Sequence, residues 1–232
     1  MDGTLADLSS AYAEIEERLF GPEEATHERP APEAREAEQH MEADGQPAPK
    51  PARPRLAERR SRPPGHRDLV WRVIEATPNF WTALRPIEPG AVARLYQLTG
   101  EQNWEVFFIT QRPGTAGATV QSQTHKWLVE QGFLTPSVIP LSGGRGKAAS
   151  ALRLDYLVDD TPQNCVDVLS DSAARAILLV DPHDPLAARS ARRLGIGTAH
   201  DIHQVLDILM EATAARENPT LFEKLRKLVG WK

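Results

Sequence analysis

The chain has one cysteine, Cys165, among 232 residues, which excludes an internal disulfide framework and a thiolate zinc cluster. Its neighbours Val166, Val168 and Leu169 are apolar, so the thiol reads as a small buried core group. No run approaches the roughly 20 apolar residues of a membrane span, and the N-terminus lacks the basic-then-apolar pattern of a secretory signal. A cytoplasmic protein with no membrane partner is expected. Excess positive charge is missing as well: the formal charge is −5 and the isoelectric point about 5.8. Without a basic field, nucleic acid is not expected as a partner.

A second shortage is local. Residues 21–66 contain no aromatic side chain, no Val and no Ile, only Met41 and Leu56 as large apolar residues, and nine prolines. Such a stretch cannot bury enough surface to offset its ordering entropy and is expected to be a disordered insertion. Its first half is acidic (Glu23, Glu24, Glu28, Glu33, Glu36, Glu38, Glu42) and its second basic (Lys50, Arg53, Arg55, Arg59, Arg60, Arg62). A self-screening linker is the plain reading, and a docking segment for a protein partner the alternative.

Elsewhere the 41% hydrophobic content is enough to fill a core. Leu8, Tyr12, Ile15 and Leu19 recur at helical spacing and predict a helix from about Ala6 to Phe20. Leu69, Val70, Val73 and Ile74 predict another over Arg67–Ala76, and Pro89 suits the first turn of a helix through Leu98. From Val106 onward strands and helices alternate. Strands are predicted at Val106–Thr110, Ser137–Leu141, Tyr156–Val158 and Ala176–Val180, with helices at Thr119–Gln131, Lys147–Leu152, Pro162–Leu169, Pro185–Leu194 and Asp201–Thr213, and a terminal one near Thr220–Val229. Alternation of this kind means crossover units and a parallel sheet covered on both faces, with sites outside the carboxyl ends of the strands.

Three apolar strands run into polar residues: Ile109 into Thr110, Val158 into Asp159 and Asp160, and Val180 into Asp181. Adjacent carboxylates repel unless a cation compensates them, and oxygen-only ligands suit Mg²⁺. A hydroxyl at Thr110 and an ammonium at Lys147 are donors of the sort that hold phosphoryl oxygens. Gln111 and Arg112 follow Thr110 directly and are candidates to touch a substrate phosphate or carboxylate; otherwise Arg112 is a solvent-facing loop residue.

Other sets carry less. Gly143-Gly144-Arg145-Gly146-Lys147 fails the Walker pattern, which needs Gly where Leu141 stands and Ser or Thr where Ala148 stands. Asp181-Pro182-His183-Asp184-Pro185 reads as a turn with Asp184 as a helix cap, and His200 and His203 as surface or capping residues. Trp71, Phe80, Trp81 and Trp104 could stack a base, but aromatics at helical spacing are more often core.

At the N-terminus Asp2-Gly3-Thr4-Leu5 resembles the tail of the first signature of haloacid dehalogenase-like phosphatases, Asp-x-Asp-Gly-Thr/Val-Leu after an apolar strand. Ile109-Thr110 is similar to the second signature, Lys147 to the third, and Tyr156-Leu157-Val158-Asp159-Asp160 to the fourth. Phe80 to Pro86, with Pro89-Gly90-Ala91, is similar to the cap-to-core return of the 5′(3′)-deoxyribonucleotidase branch. The resemblance implies an α/β fold: a three-layer Rossmann-like parallel sheet with a small helical cap inserted after the first signature. On that plan residues 1–5 open the core, 6–84 form the cap interrupted by 21–66, residues 85–215 form the rest of the core, and 216–232 a C-terminal helix.

The resemblance further implies a Mg²⁺-dependent phosphomonoester hydrolase working through an aspartyl-phosphate. Its substrate would be a small phosphorylated metabolite, a nucleoside monophosphate being one candidate. Asp2 would protonate the leaving oxygen, activate water and ligate Mg²⁺ through its backbone carbonyl. Asp159 and Asp160 would complete the metal site. Thr110 would hydrogen-bond the phosphoryl group and Lys147 neutralise it, with Gly3, Thr4, Gln111 and Arg112 contacting substrate. The attacking aspartate of the family pattern falls two positions before Asp2, outside these 232 residues, as does the apolar strand before it. Met1 is therefore expected to be an internal methionine of the signature. If it is not, the alternative is an inactive binding or scaffold protein of the same fold.

Overall fold

The computed structural model describes residues 1–21, 65–216 and 229–231. The insertion expected over 21–66 and the terminal helix expected near residues 220–229 lie almost wholly outside them. The chain divides into two compact units, Ser9–Val70 and the remainder, Met1–Leu8 with Trp71–Lys232.

In the smaller unit, helix α1 (Leu8–Phe20) supplies most of the described residues. Tyr12 and Ile15 on its apolar stripe are buried, whereas Leu19 at the end of the stripe is exposed. The Phe20 ring lies parallel to His66, their centroids 3.8 Å apart. Helix α2 (His66–Ala76) begins at that histidine and buries Val70 and Ile74, four residues apart on one face.

The larger unit holds helix α3 (Ala91–Gln102), strand β1 (Phe107–Thr110), helix α4 (Val120–Glu130), strand β2 (Ser137–Pro140), helix α5 (Arg145–Ala151) and strand β3 (Tyr156–Asp159). It continues through helix α6 (Pro162–Asp171), strand β4 (Arg175–Leu179), helix α7 (Pro185–Leu194), strand β5 (Gly197–Ala199) and helix α8 (Ile202–Arg216). Caps account for several boundaries. The Thr119 side chain accepts from Ser122 N at 3.2 Å to open α4, and Asp184 accepts from Ala187 N at 2.9 Å to open α7 ahead of Pro185. Pro89 stands outside α3, because Gly90, with φ 83°, takes the cap position.

The protein is therefore α/β with short parallel strands. Among the described residues they form two open sheets, β1–β2 and β3–β4–β5, rather than the single sheet that alternation predicts. Phe107 pairs with Ser137 and Thr110 with Pro140 in the first; Tyr156 pairs with Arg175 and Ile177 with Gly197 in the second. β1 and β3 share no ladder. Their side chains nonetheless meet in one core, where Ile109 of β1 clusters with Leu157, Cys165, Val168, Leu178 and Val180. Each such buried aliphatic side chain contributes about 1.5–3 kcal/mol relative to exposure.

Candidate functional site

Residues Met1 to Ala6 form a tight loop. The Met1 carbonyl accepts from the backbone N–H of Leu5 at 2.8 Å and of Ala6 at 3.1 Å, and Gly3 N donates to the Ala6 carbonyl at 3.0 Å. Ile87 N donates to the Leu5 carbonyl at 2.8 Å, which ties the loop to the segment before α3. Gly3 has φ +75°, and a Cβ there would stand 2.0 Å from Asp160 Oδ2. Only glycine lets Asp160 approach the loop so closely.

The carboxyl ends of β1 and β3 and this loop enclose a cavity of about 170 Å³. Thr110 and Gln111 line it from β1, Asp159 and Asp160 from β3, Met1 and Asp2 from the loop, and Thr161, Asn164 and Arg145 from the starts of α6 and α5. The wall is polar. Thr110 is buried to 1% exposure, and its Oγ1 has no hydrogen-bond partner. Arg145 is likewise buried; its Nε lies 3.5 Å from Asp159 Oδ2, while its Nη1 is buried without a partner. Unpaired buried donors are costly, and these two belong to residues that line one cavity.

Asp159 is held from one side. Its Oδ1 accepts from Thr161 N and from Asn164 Nδ2, both at 2.9 Å. Asp2 itself faces Arg112. The guanidinium donates through Nε to both carboxylate oxygens at 3.0 Å and through Nη2 to Oδ1 at 2.6 Å. Its Nη1 donates to Thr124 Oγ1 at 2.9 Å, and its plane lies over Trp81, 4.8 Å from the ring centroid.

No family model, no curated protein and no solved structure matches the chain.

The structure thus gathers Asp2, Thr110, Gln111, Asp159 and Asp160 at one place and departs from the sequence reading at others. Lys147 is exposed on α5 and does not line the cavity. Arg145 supplies the cation instead. Two residues apart on a helix means about 200° of rotation, so both cannot face inward. The inward face is fixed by Gly146, where a Cβ would meet the Asp167 carbonyl at 2.1 Å, so α5 lies tight against α6. Arg112 is buried rather than solvent-facing, donates to Asp2 and Thr124, and does not line the cavity. Gly3 and Thr4 shape the loop but do not line the cavity, and Gln111 donates to the Gly143 carbonyl at 2.7 Å.

None of the cavity-lining residues is aromatic. Trp81 is buried with its indole N–H on the Pro113 carbonyl, Trp104 donates to Thr213 Oγ1, and neither lines the cavity. Asp181, at the end of β4, lies off the cavity and accepts from His183 N at 2.8 Å. Asn164 and Thr161 were not singled out by sequence. The one cue is that they open the helix immediately after the acidic pair.

Oxygen ligands for a divalent cation are present in part. Asp159 and Asp160 stand side by side at the cavity and suit a hard cation. The Asp2 carboxylate does not join them, since Arg112 takes both its oxygens. Among the described residues no group of three or more His, Cys, Asp or Glu side chains is arranged to hold a metal.

Proposed function

We propose that this chain is a haloacid dehalogenase-like domain that handles phosphoryl groups, built for Mg²⁺-dependent hydrolysis of a phosphomonoester. The observation that carries the reading is the pair of buried, unpartnered donors, Thr110 Oγ1 and Arg145 Nη1, from two residues that line one cavity beside Asp159. A cavity of about 170 Å³ is smaller than the ~300–1,000 Å³ of sites that enclose whole drug-sized ligands. It suits a phosphoryl group with the rest of a small metabolite lying outside.

On this reading Thr110 and Arg145 hold the phosphoryl oxygens, Arg145 in the role first expected of Lys147. For Asp2 to give a proton to the leaving oxygen and later take one from water, the Arg112 fork that occupies both its oxygens would have to release it. Asp159 and Asp160 would hold Mg²⁺, which when bound compensates the charge on the phosphoryl oxygens. The aspartate that attacks phosphorus belongs two positions before Asp2 and is not among the 232 residues.

The test is p-nitrophenyl phosphate hydrolysis with Mg²⁺ by the protein extended at its N-terminus with an apolar segment that ends in aspartate one residue before Met1. The extended protein turns over, and Asp2→Asn slows it by roughly a hundredfold or more. Equal rates for the two refute the role of Asp2. Phosphate binding without turnover by the extended protein favours the second reading, a binding protein, which the full engagement of Asp2 by Arg112 supports.

A further inference from the structure

The second sheet begins with Tyr156 of β3, Arg175 of β4 and Gly197 of β5, at the end of β3 opposite the cavity. Trp231, which no signature includes, sits against all three. Its ring centroid is 5.4 Å from that of Tyr156, with the planes tilted by 38°. The Arg175 guanidinium carbon stands 5.9 Å from the centroids of both rings. Trp231 Nε1 donates to the Ala176 carbonyl at 3.3 Å, and the residue is 5% exposed. We propose that the amino ends of β3, β4 and β5 form a receptor for an indole, filled by Trp231 of the same chain as a latch on the sheet. The inference is independent of the proposed phosphoryl chemistry.

The walls of the slot are set by the sheet rather than by the guest. Tyr156 pairs with Arg175 in one ladder and Ile177 with Gly197 in the next. A Cβ on Gly197 would stand 2.4 Å from Trp231 Nε1 and 2.8 Å from Val229 Cγ1, so the missing side chain makes the room that the indole occupies. Gly230 turns the chain into the slot. Its φ is +90°, and a Cβ there would meet Arg192 Cγ of α7 at 2.7 Å, so this close approach in this conformation calls for glycine. Val229, on its other side, is buried as well. The slot matches an indole in chemistry: an aromatic ring beside it, a cation near its face and one carbonyl for its single N–H.

The experiment follows thermal unfolding of the full chain. Trp231→Ala lowers the midpoint by roughly 5–15 °C, the effect of emptying a tryptophan site in a chain of this length. Millimolar indole raises the Trp231→Ala midpoint and leaves that of wild type unchanged, because only the variant has the slot open. Benzothiophene, the same two-ring shape without the N–H, raises it less. Gly197→Ala, which keeps the indole but narrows the slot, also lowers the wild-type midpoint. It costs at most about half as much in the Trp231→Ala background, where the indole it clashes with is gone. A wild-type midpoint for either single variant overturns the latch. A lowered Trp231→Ala midpoint that indole does not raise overturns the receptor.

Discussion

Arg112 grips Asp2 across 110 residues of sequence, with Nη2 2.6 Å from Oδ1 and Nε 3.0 Å from each oxygen. The arginine side chain is fully buried and the aspartate side chain 20% exposed. A planar fork on a carboxylate is the strong, directional form of an ion pair, and here it is backed by Thr124 and Trp81. The loop that carries Asp2 is thus anchored to the segment after β1.

Removing the fork leaves Asp2 and Thr124 without their donor. Arg112→Met lowers stability by about 1.5–3 kcal/mol, the usual worth of hydrogen bonds to a charged group. Arg112→Lys recovers less than half of that, because an ammonium cannot reproduce the fork. Urea denaturation measures both. A wild-type midpoint for Arg112→Met shows that the pair does not anchor the loop.

The contact between α5 and α6 depends on the absence of a side chain. A Cβ at position 146 meets the Asp167 carbonyl oxygen at 2.1 Å and the Asp171 Cβ at 2.7 Å. Backbone cannot yield as a flexible side chain does, so Gly146→Ala costs about 1–3 kcal/mol by overpacking. Gly144→Ala, whose nearest neighbour is 3.7 Å away, serves as the control with little loss. Equal denaturation midpoints for the two contradict the packing argument.

Thr110 carries a conflict between stability and ligand binding. Its hydroxyl is buried with no partner, which costs the fold about 1–3 kcal/mol. Thr110→Val replaces the hydroxyl with a methyl group of similar size and raises stability by about 1 kcal/mol. The same change weakens inorganic phosphate binding, read by calorimetry. A variant less stable than wild type shows that the hydroxyl has a partner in the folded protein.

Cys165 stays inert in the native state. Burial, helped by the negative charge of Asp159 and Asp160, pushes its thiol up to about 12. The neutral thiol favours the fold below its ordinary value of 9.0, and that contribution is lost as pH rises from there toward about 12. At pH 8 iodoacetamide therefore labels the urea-unfolded chain and spares the folded one. Labelling of both at one rate contradicts a buried Cys165.

Periodicity and caps made most of the larger unit legible. β1, β3 and β4 were predicted within a residue or so, and Asp184-Pro185 marked the start of α7. The short β5, Gly197-Thr198-Ala199, was missed because three small residues carry no alternation. Thr110, Asp159 and Asp160 could be placed because they end apolar strands, and those strand ends meet at one cavity although β1 and β3 lie in separate sheets. Choosing between Arg145 and Lys147 required the first residue of α5, which close packing at Gly146 determines and no local pattern announces. The Asp2–Arg112 pair and the division into two sheets are equally nonlocal.

The most direct test of a phosphoryl-binding cavity is calorimetric titration of inorganic phosphate, with Mg²⁺ present, into the 232-residue protein and its Arg145→Ala and Lys147→Ala variants. Saturable binding by wild type and by Lys147→Ala, with Arg145→Ala weaker by roughly tenfold or more, is the predicted result. Equal affinity in all three, or no binding by the wild-type chain, contradicts the account.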